Sequence, residues 1–240
     1  MSYLLYCVLH SGCGTAMSPL PTVVAQQPIL WVTSQGLSAA VAACAAGDME
    51  PDVDTLLRYG AIVEALHRQY DLLPMRYGAR FATLAAVKRL LQSHHLDYLD
   101  QLARVEACAE MTLRILLPPQ PQDTPSRPVA TGADYLQWRR DHYATGGRQR
   151  RELEQIRRML DAGLQGHYSD SRSESGTLGD RQVFSLHYLV RRQRLDAFSR
   201  AIEGIIAAVP YRLLLSGPWP AYHFVHQVDG DMDRLLEDIL

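Results

Sequence analysis

The stretch VEACAEMTLRILL (105–117), followed at once by PPQPQDTPSRPVATG (118–132), decides the fold class. Val105, Ala107, Ala109, Met111, Leu113, Ile115 and Leu117 recur at a strict period of two. Glu106, Cys108, Glu110, Thr112 and Arg114 fill the alternate positions. That alternation predicts a long strand with one packed face and one more polar face. The proline-rich run has almost no apolar content and reads as a linker. The chain therefore divides into an N-terminal domain, 1–117, a Pro-rich linker, 118–132, and a C-terminal domain, 133–240.

Working outward from the linker, both halves mix strands and helices without a regular βα repeat, which places them in the α+β class. Upstream, YLLYCVLH (3–10) is apolar on both faces and reads as a central strand. ILWVT (29–33) reads as a second strand, and 37–44 as a third strand or a short helix. Pro51 and Asp52 open a helix whose buried stripe is Tyr59, Ile62, Val63, Leu66 and Tyr70. LLPMRYGARF (72–81) is extended. Thr83 and Ser93 are the expected N-caps of two short helices, with apolar positions Leu84, Val87 and Leu91, then Leu96, Leu99 and Leu102.

Downstream, the helical block 133–162 carries Leu153, Ile156 and Leu160 on its apolar seam. GLQGHYSDSRSESGTLGD (163–180) reads as a mobile polar loop. VFSLHYLV (183–190) is a strand, and an amphipathic helix follows with Leu195, Phe198, Ile202, Ile205, Ile206 and Val209 on its stripe. YRLLL (211–215) and AYHFV (221–225) are expected strands on either side of SGPWP. The segment 229–240 is acidic.

The 240 residues are 47% hydrophobic and 21% charged, with a net charge of −2. That balance gives no electrostatic basis for binding nucleic acid or an anionic membrane. The four cysteines lack zinc spacing and suit reduced, buried thiols in a cytoplasmic protein. SGCG (11–14) lacks the third glycine of a dinucleotide fingerprint, and DGDMD (229–233) lacks the glycine and glutamate of a calcium loop. No catalytic motif is found, and no cofactor or metal is expected.

Two local arrangements stand out. Arg76 lies among Leu73, Met75 and Tyr77, so a carboxylate partner is expected, with Glu106 and Glu110 the candidates. In SGPWP (216–220), Pro218 and Pro220 stiffen the backbone on both sides of Trp219. Trp219 is expected to be substantially buried against the 192–209 helix, as a scaffold residue first and a partner contact second.

Four segments in order, LLPMRYGARF (72–81), GADYLQWRR (132–140), YLVRRQRLDAF (188–198) and SGPWPAYHFV (216–225), resemble the GvpL/GvpF family of gas vesicle proteins. The motif residues are Pro74, Arg76, Gly78, Gly217, Pro218, Trp219 and Pro220. Ala221, His223 and Tyr77 depart mildly from the family pattern. The resemblance implies two α+β domains, at least one ferredoxin-like, and a non-enzymatic role in the cytoplasm at the gas vesicle. It also implies binding of the hydrophobic shell protein GvpA and help in nucleating or assembling the shell, with other gas vesicle proteins as further partners. Trp219, Tyr222 and Phe224 are the candidate partner contacts; oligomeric state is left open. Two alternatives stand beside it. One is a small-molecule enzyme on a ferredoxin-like scaffold, using His187 and the Arg76, Glu106 and Glu110 group. The other is an adaptor that oligomerises through the 148–160 helix.

Overall fold

The structure, a computed structural model, describes residues 2–12, 28–44, 52–117, 151, 153–178, 181–206 and 212–226. Its chain divides into two compact units. The first comprises Met1–Glu110 together with Pro218–Leu240, and the second Met111–Gly217. This differs from the expected division at a linker. The boundary falls within a strand, at Glu110 and Met111, and the C-terminal segment belongs to the first unit. The expected linker, 118–132, lies outside the described residues.

The first unit is built on a sheet ordered β2-β3-β1-β4, from β1 (Ser2–His10), β2 (Leu30–Ser34), β3 (Leu37–Cys44) and β4 (Leu72–Pro74), with β5 (Arg80–Phe81) also paired to β1. The ambiguous alanine-rich run is strand β3. It pairs antiparallel with both β1 and β2, so its backbone polar groups are satisfied on both sides and its small side chains are buried. A bulge between Leu5 and Cys7 shifts the β1 register. Because one extra residue breaks the alternation, Leu4, Tyr6, Cys7 and Leu9 all join one core.

Helix α1 (Val53–His67) covers that core with Tyr59, Ile62, Val63 and Leu66. Asp52 caps it, accepting from the Thr55 amide at 2.8 Å. Tyr70 lies beyond the end of α1 rather than on its stripe, yet packs against the same core. Helices α2 (Leu84–Ser93) and α3 (His95–Val105) also contact the sheet. Thr83 caps α2 as expected, through the Ala86 amide. Ser93 does not cap α3: it is the last residue of α2, and His94 occupies the cap position without a side-chain bond. The buried face of α3 is Tyr98, Gln101, Leu102 and Val105, which leaves Leu96 exposed.

The long strand is β6 (Cys108–Leu116). It starts later than the alternation predicts, because Val105 ends α3 and Glu106 and Ala107 form a turn. Its polar face is covered at Glu110 and Thr112, each 2% exposed, and meets solvent at Arg114. Period-two alternation tells which residues share a face, not whether another layer covers it.

The second unit runs β6, a helix α4 over residues 153–163, β7 (Asp170–Leu178), β8 (Arg181–Arg191), α5 (Leu195–Ile206) and β9 (Arg212–Trp219). The sheet order is β7-β8-β6-β9. That βαββαβ sequence of elements, with the first and third strands central, is the ferredoxin-like arrangement. Met111, Leu113 and Ile115 of β6, Leu186, Tyr188 and Val190 of β8, and Phe198 and Ile202 of α5 share one core. Ile156 and Leu160 of α4 point into it and Leu153 packs against it, so the helix's seam faces its own unit rather than a partner.

The segment expected as a mobile loop, 163–180, contains β7, paired antiparallel with β8 from Asp170–Leu189 to Leu178–Arg181. Its serines and charges carry no hydrophobic signal, but an edge strand needs only backbone pairing, and polar side chains keep such an edge soluble.

Candidate functional site: the C-terminal corner

Two of the family-like segments converge on the first core. LLPMRYGARF runs along β1, with Leu72 opposite Leu9, Pro74 opposite Cys7 and Phe81 opposite Tyr3. Between its two paired ends the chain bulges outward. The Met75 amide donates to the Tyr6 carbonyl and the Leu5 amide to the Ala79 carbonyl, both at 2.9 Å. Gly78 sits at φ 109°, a conformation that residues with a Cβ rarely adopt. Arg76 is exposed on this bulge.

Tyr77 meets Tyr59 edge-on at 5.3 Å, and Tyr59 stacks on Tyr6 at 4.8 Å. The Tyr59 hydroxyl lies 2.9 Å from the Leu5 carbonyl and 2.7 Å from that of Met75, so one proton ties β1 to the bulge. Tyr222, from the second segment, packs against the same core. Burial is the main reason that these hydroxyls resist ionisation. Tyr6 is pushed up to about 12, and Tyr59 and Tyr222 rise further.

The SGPWP segment departs from expectation in three ways. First, β9 runs through Gly217 and Pro218 to Trp219 instead of stopping at 215. Pro218 is tolerated because β9 is an edge strand, and Gly217 takes φ 121°. Second, 221–225 is not a strand. It is a series of tight turns, with the Tyr222 amide donating to Pro220 and the Phe224 amide to Ala221. Third, Trp219 is not substantially buried: it is 38% exposed. Phe224, by contrast, is 1% exposed, and Ala221 and Val225 are buried with it. Of the three candidate contacts, Trp219 therefore offers the accessible aromatic surface, Tyr222 is mostly committed to the core, and Phe224 wholly so.

Sequence reasoning missed what holds this corner. The Glu110 carboxylate accepts from the His223 amide at 3.0 Å, and its other oxygen lies 2.6 Å from His223 Nδ1. Gln101 Oε1 accepts from the His226 amide at 2.6 Å. The alternation shows that Glu110 needs a polar partner, but His223 lies 113 positions away in sequence. Glu106 is exposed. In the second unit, His187 is buried; its Nδ1 lies 3.0 Å from Thr112 Oγ1 and its Nε2 is 3.3 Å from Glu174 Oε1. It thus braces the central strands against the β7 edge. GADYLQWRR and the segment 229–240 lie outside the described residues.

Two α+β units, one ferredoxin-like, with a proline-stiffened aromatic corner, define a two-unit α+β protein of the kind solved as the gas vesicle protein GvpF. The GvpF of Microcystis aeruginosa matches with a TM-score of 0.69 and 15% identity, covering 94% of this chain and 99% of that one. The GvpF of Anabaena sp. PCC7120 matches at 0.72 and 14%, covering 95% and 99%. The family model "Gas vesicle synthesis protein GvpL/GvpF" matches residues 2–226, and the chain belongs to that family. Gas vesicle protein L of Streptomyces sp. (strain CB03234) is 28% identical over 207 residues, 79% of this chain and 76% of that protein. The chain's role is thus in gas vesicles. Among the described residues, no helix is long and apolar enough to cross a membrane.

Proposed function

We propose that this protein is a non-enzymatic assembly factor of the gas vesicle, working in the cytoplasm at the growing vesicle. It binds the hydrophobic shell protein GvpA and helps nucleate or assemble the shell. The observation that carries the reading is Trp219: it is an aromatic side chain left 38% exposed on a backbone fixed by Pro218 and Pro220, in a chain of this family. A preorganised tryptophan gives a large contact area at little entropic cost, which suits an apolar partner.

Co-expression of the full chain with GvpA, followed by affinity capture, tests the reading. Retention of GvpA by the wild type and its loss with Trp219→Ala is the expected result. Failure of the wild type to retain GvpA, with normal vesicles after deletion of the gene, contradicts it.

A further inference from the structure

We propose that Glu110 and Gln101 form a two-point clamp on residues 223 and 226, and that this clamp sets the direction in which Trp219 is presented. The inference rests, for its functional half, on the reading that Trp219 meets the shell protein. Residues 221–226 have turn geometry, so their amides have no sheet ladder to enter. Two buried side chains receive those of residues 223 and 226. Glu110 Oε2 takes the His223 amide and Gln101 Oε1 takes that of His226.

Each acceptor is itself fixed. Gln101 is 2% exposed, and its Nε2 donates to Asp97 Oδ2 at 2.7 Å, which leaves Oε1 to face His226. The second Glu110 oxygen is engaged by the His223 imidazole at 2.6 Å. An ionised carboxylate only accepts, so His223 Nδ1 carries the proton of that short bond. Between the two capture points Phe224 and Val225 are buried.

Burying a carboxylate is costly, and apolar packing alone would hold a hexapeptide against a core. What polar capture adds is direction: amides 223 and 226 are each held by one buried side-chain oxygen. Only Pro220, with its fixed φ, Ala221 and Tyr222 separate Trp219 from the first captured amide, and Ala221 is buried. The indole is therefore aimed by the clamp, and Glu110 and Gln101 are positioning residues rather than contacts.

Amide hydrogen exchange on the full chain, compared with Glu110→Ala, Glu110→Gln and Gln101→Ala, tests the clamp. Glu110→Ala is expected to speed exchange at His223 by about tenfold or more, the loss typical of a bond to a charged acceptor, while β1–β3 amides stay protected. Glu110→Gln keeps an acceptor and is expected to recover most of the protection. If Glu110→Ala also exposes the β1–β3 amides, Gln101→Ala provides the same reading at His226. Unchanged exchange at 223 and 226 overturns the clamp.

The aiming is read from Trp219 in a chain carrying Trp31→Phe and Trp138→Phe. Fluorescence anisotropy is expected to show a freer indole in Glu110→Ala, and an equally restricted indole overturns the aiming. For GvpA binding, the double variant Glu110→Ala with Trp219→Ala is expected to bind no more weakly than Trp219→Ala alone; additive losses overturn the link. A wild type that does not bind GvpA defeats the assembly reading but leaves the exchange and anisotropy results to decide the clamp.

Discussion

The two units bury different kinds of residue and close in different ways. The second unit is one continuous run, 111–217, around an aliphatic core with Tyr188 and Phe198 at its centre. The first unit places Tyr6, Tyr59 and Tyr222 in its core, buries Glu110 and Gln101, and is completed by residues from the far end of the chain. The contrast shows where stability and function are coupled. The first unit cannot lose residues 221–226 without uncovering part of its core and taking a hydrogen-bonded partner from each of two buried polar groups, and those residues adjoin the exposed Trp219.

The largest expected effect follows from that closure. Ending the chain after Gly217 removes Tyr222 from the first core, deletes the buried Ala221, Phe224 and Val225, and takes one hydrogen-bonded partner each from Glu110 and Gln101. Hydrogen exchange should show β1–β3 deprotected and β6–β8 still protected; equal loss in both units breaks the comparison. Next come single core truncations. Phe224→Ala and Phe198→Ala should each cost about 3–5 kcal/mol by thermal or denaturant unfolding. The first should act on the first unit and the second on the other, as resolved by exchange.

Alkaline pH gives a smaller but sharper contrast. Burial raises the hydroxyls of Tyr6, Tyr59, Tyr98 and Tyr222, and the Cys7 thiol, in the first unit; among the described residues of the second, Tyr188 is the tyrosine raised. Groups raised on folding hold their protons in the native state when the unfolded chain releases them. Their stabilisation is whole below the ordinary values of 9 and 10 and is lost as pH rises toward the raised ones. The first unit should therefore lose protection before the second above about pH 9–10, a sequence that exchange or tyrosine absorbance will follow.

The smallest effect concerns Arg76. We propose that it pairs with Glu106 or Glu110 as the sequence suggests. Because Arg76 is exposed, a double-mutant cycle with Glu106 should give no more than about 1 kcal/mol.

The elements of both units were largely legible, because periodicity reports which residues share a face. β1, β2, α1, α2, β8 and α5 follow from apolar spacing alone. β7 was not legible, since DSRSESGTL has almost no apolar side chain and is a strand only by pairing with β8. The division into units was not legible either. Proline content marks where a chain is loosely held, whereas residues 218–240 join the first unit through contacts between sequence-distant segments, Tyr222 against the first core among them. At the corner, the stiffness around Trp219 was readable from Pro218 and Pro220. Its exposure was not, because rigidity fixes a direction without saying what lies along it. The capture of His223 by Glu110 was hidden for the same reason: a polar residue within an alternating strand announces that it needs a partner but does not name one.

The central claim is that the exposed tryptophan at this corner meets the shell protein. Titration of GvpA against the wild type and Trp219→Ala, with the melting temperature of each measured alongside, tests it most directly. The account expects binding to weaken by about tenfold or more, as for a hot-spot tryptophan, with both units still folded. Equal affinity for GvpA in the two proteins contradicts it.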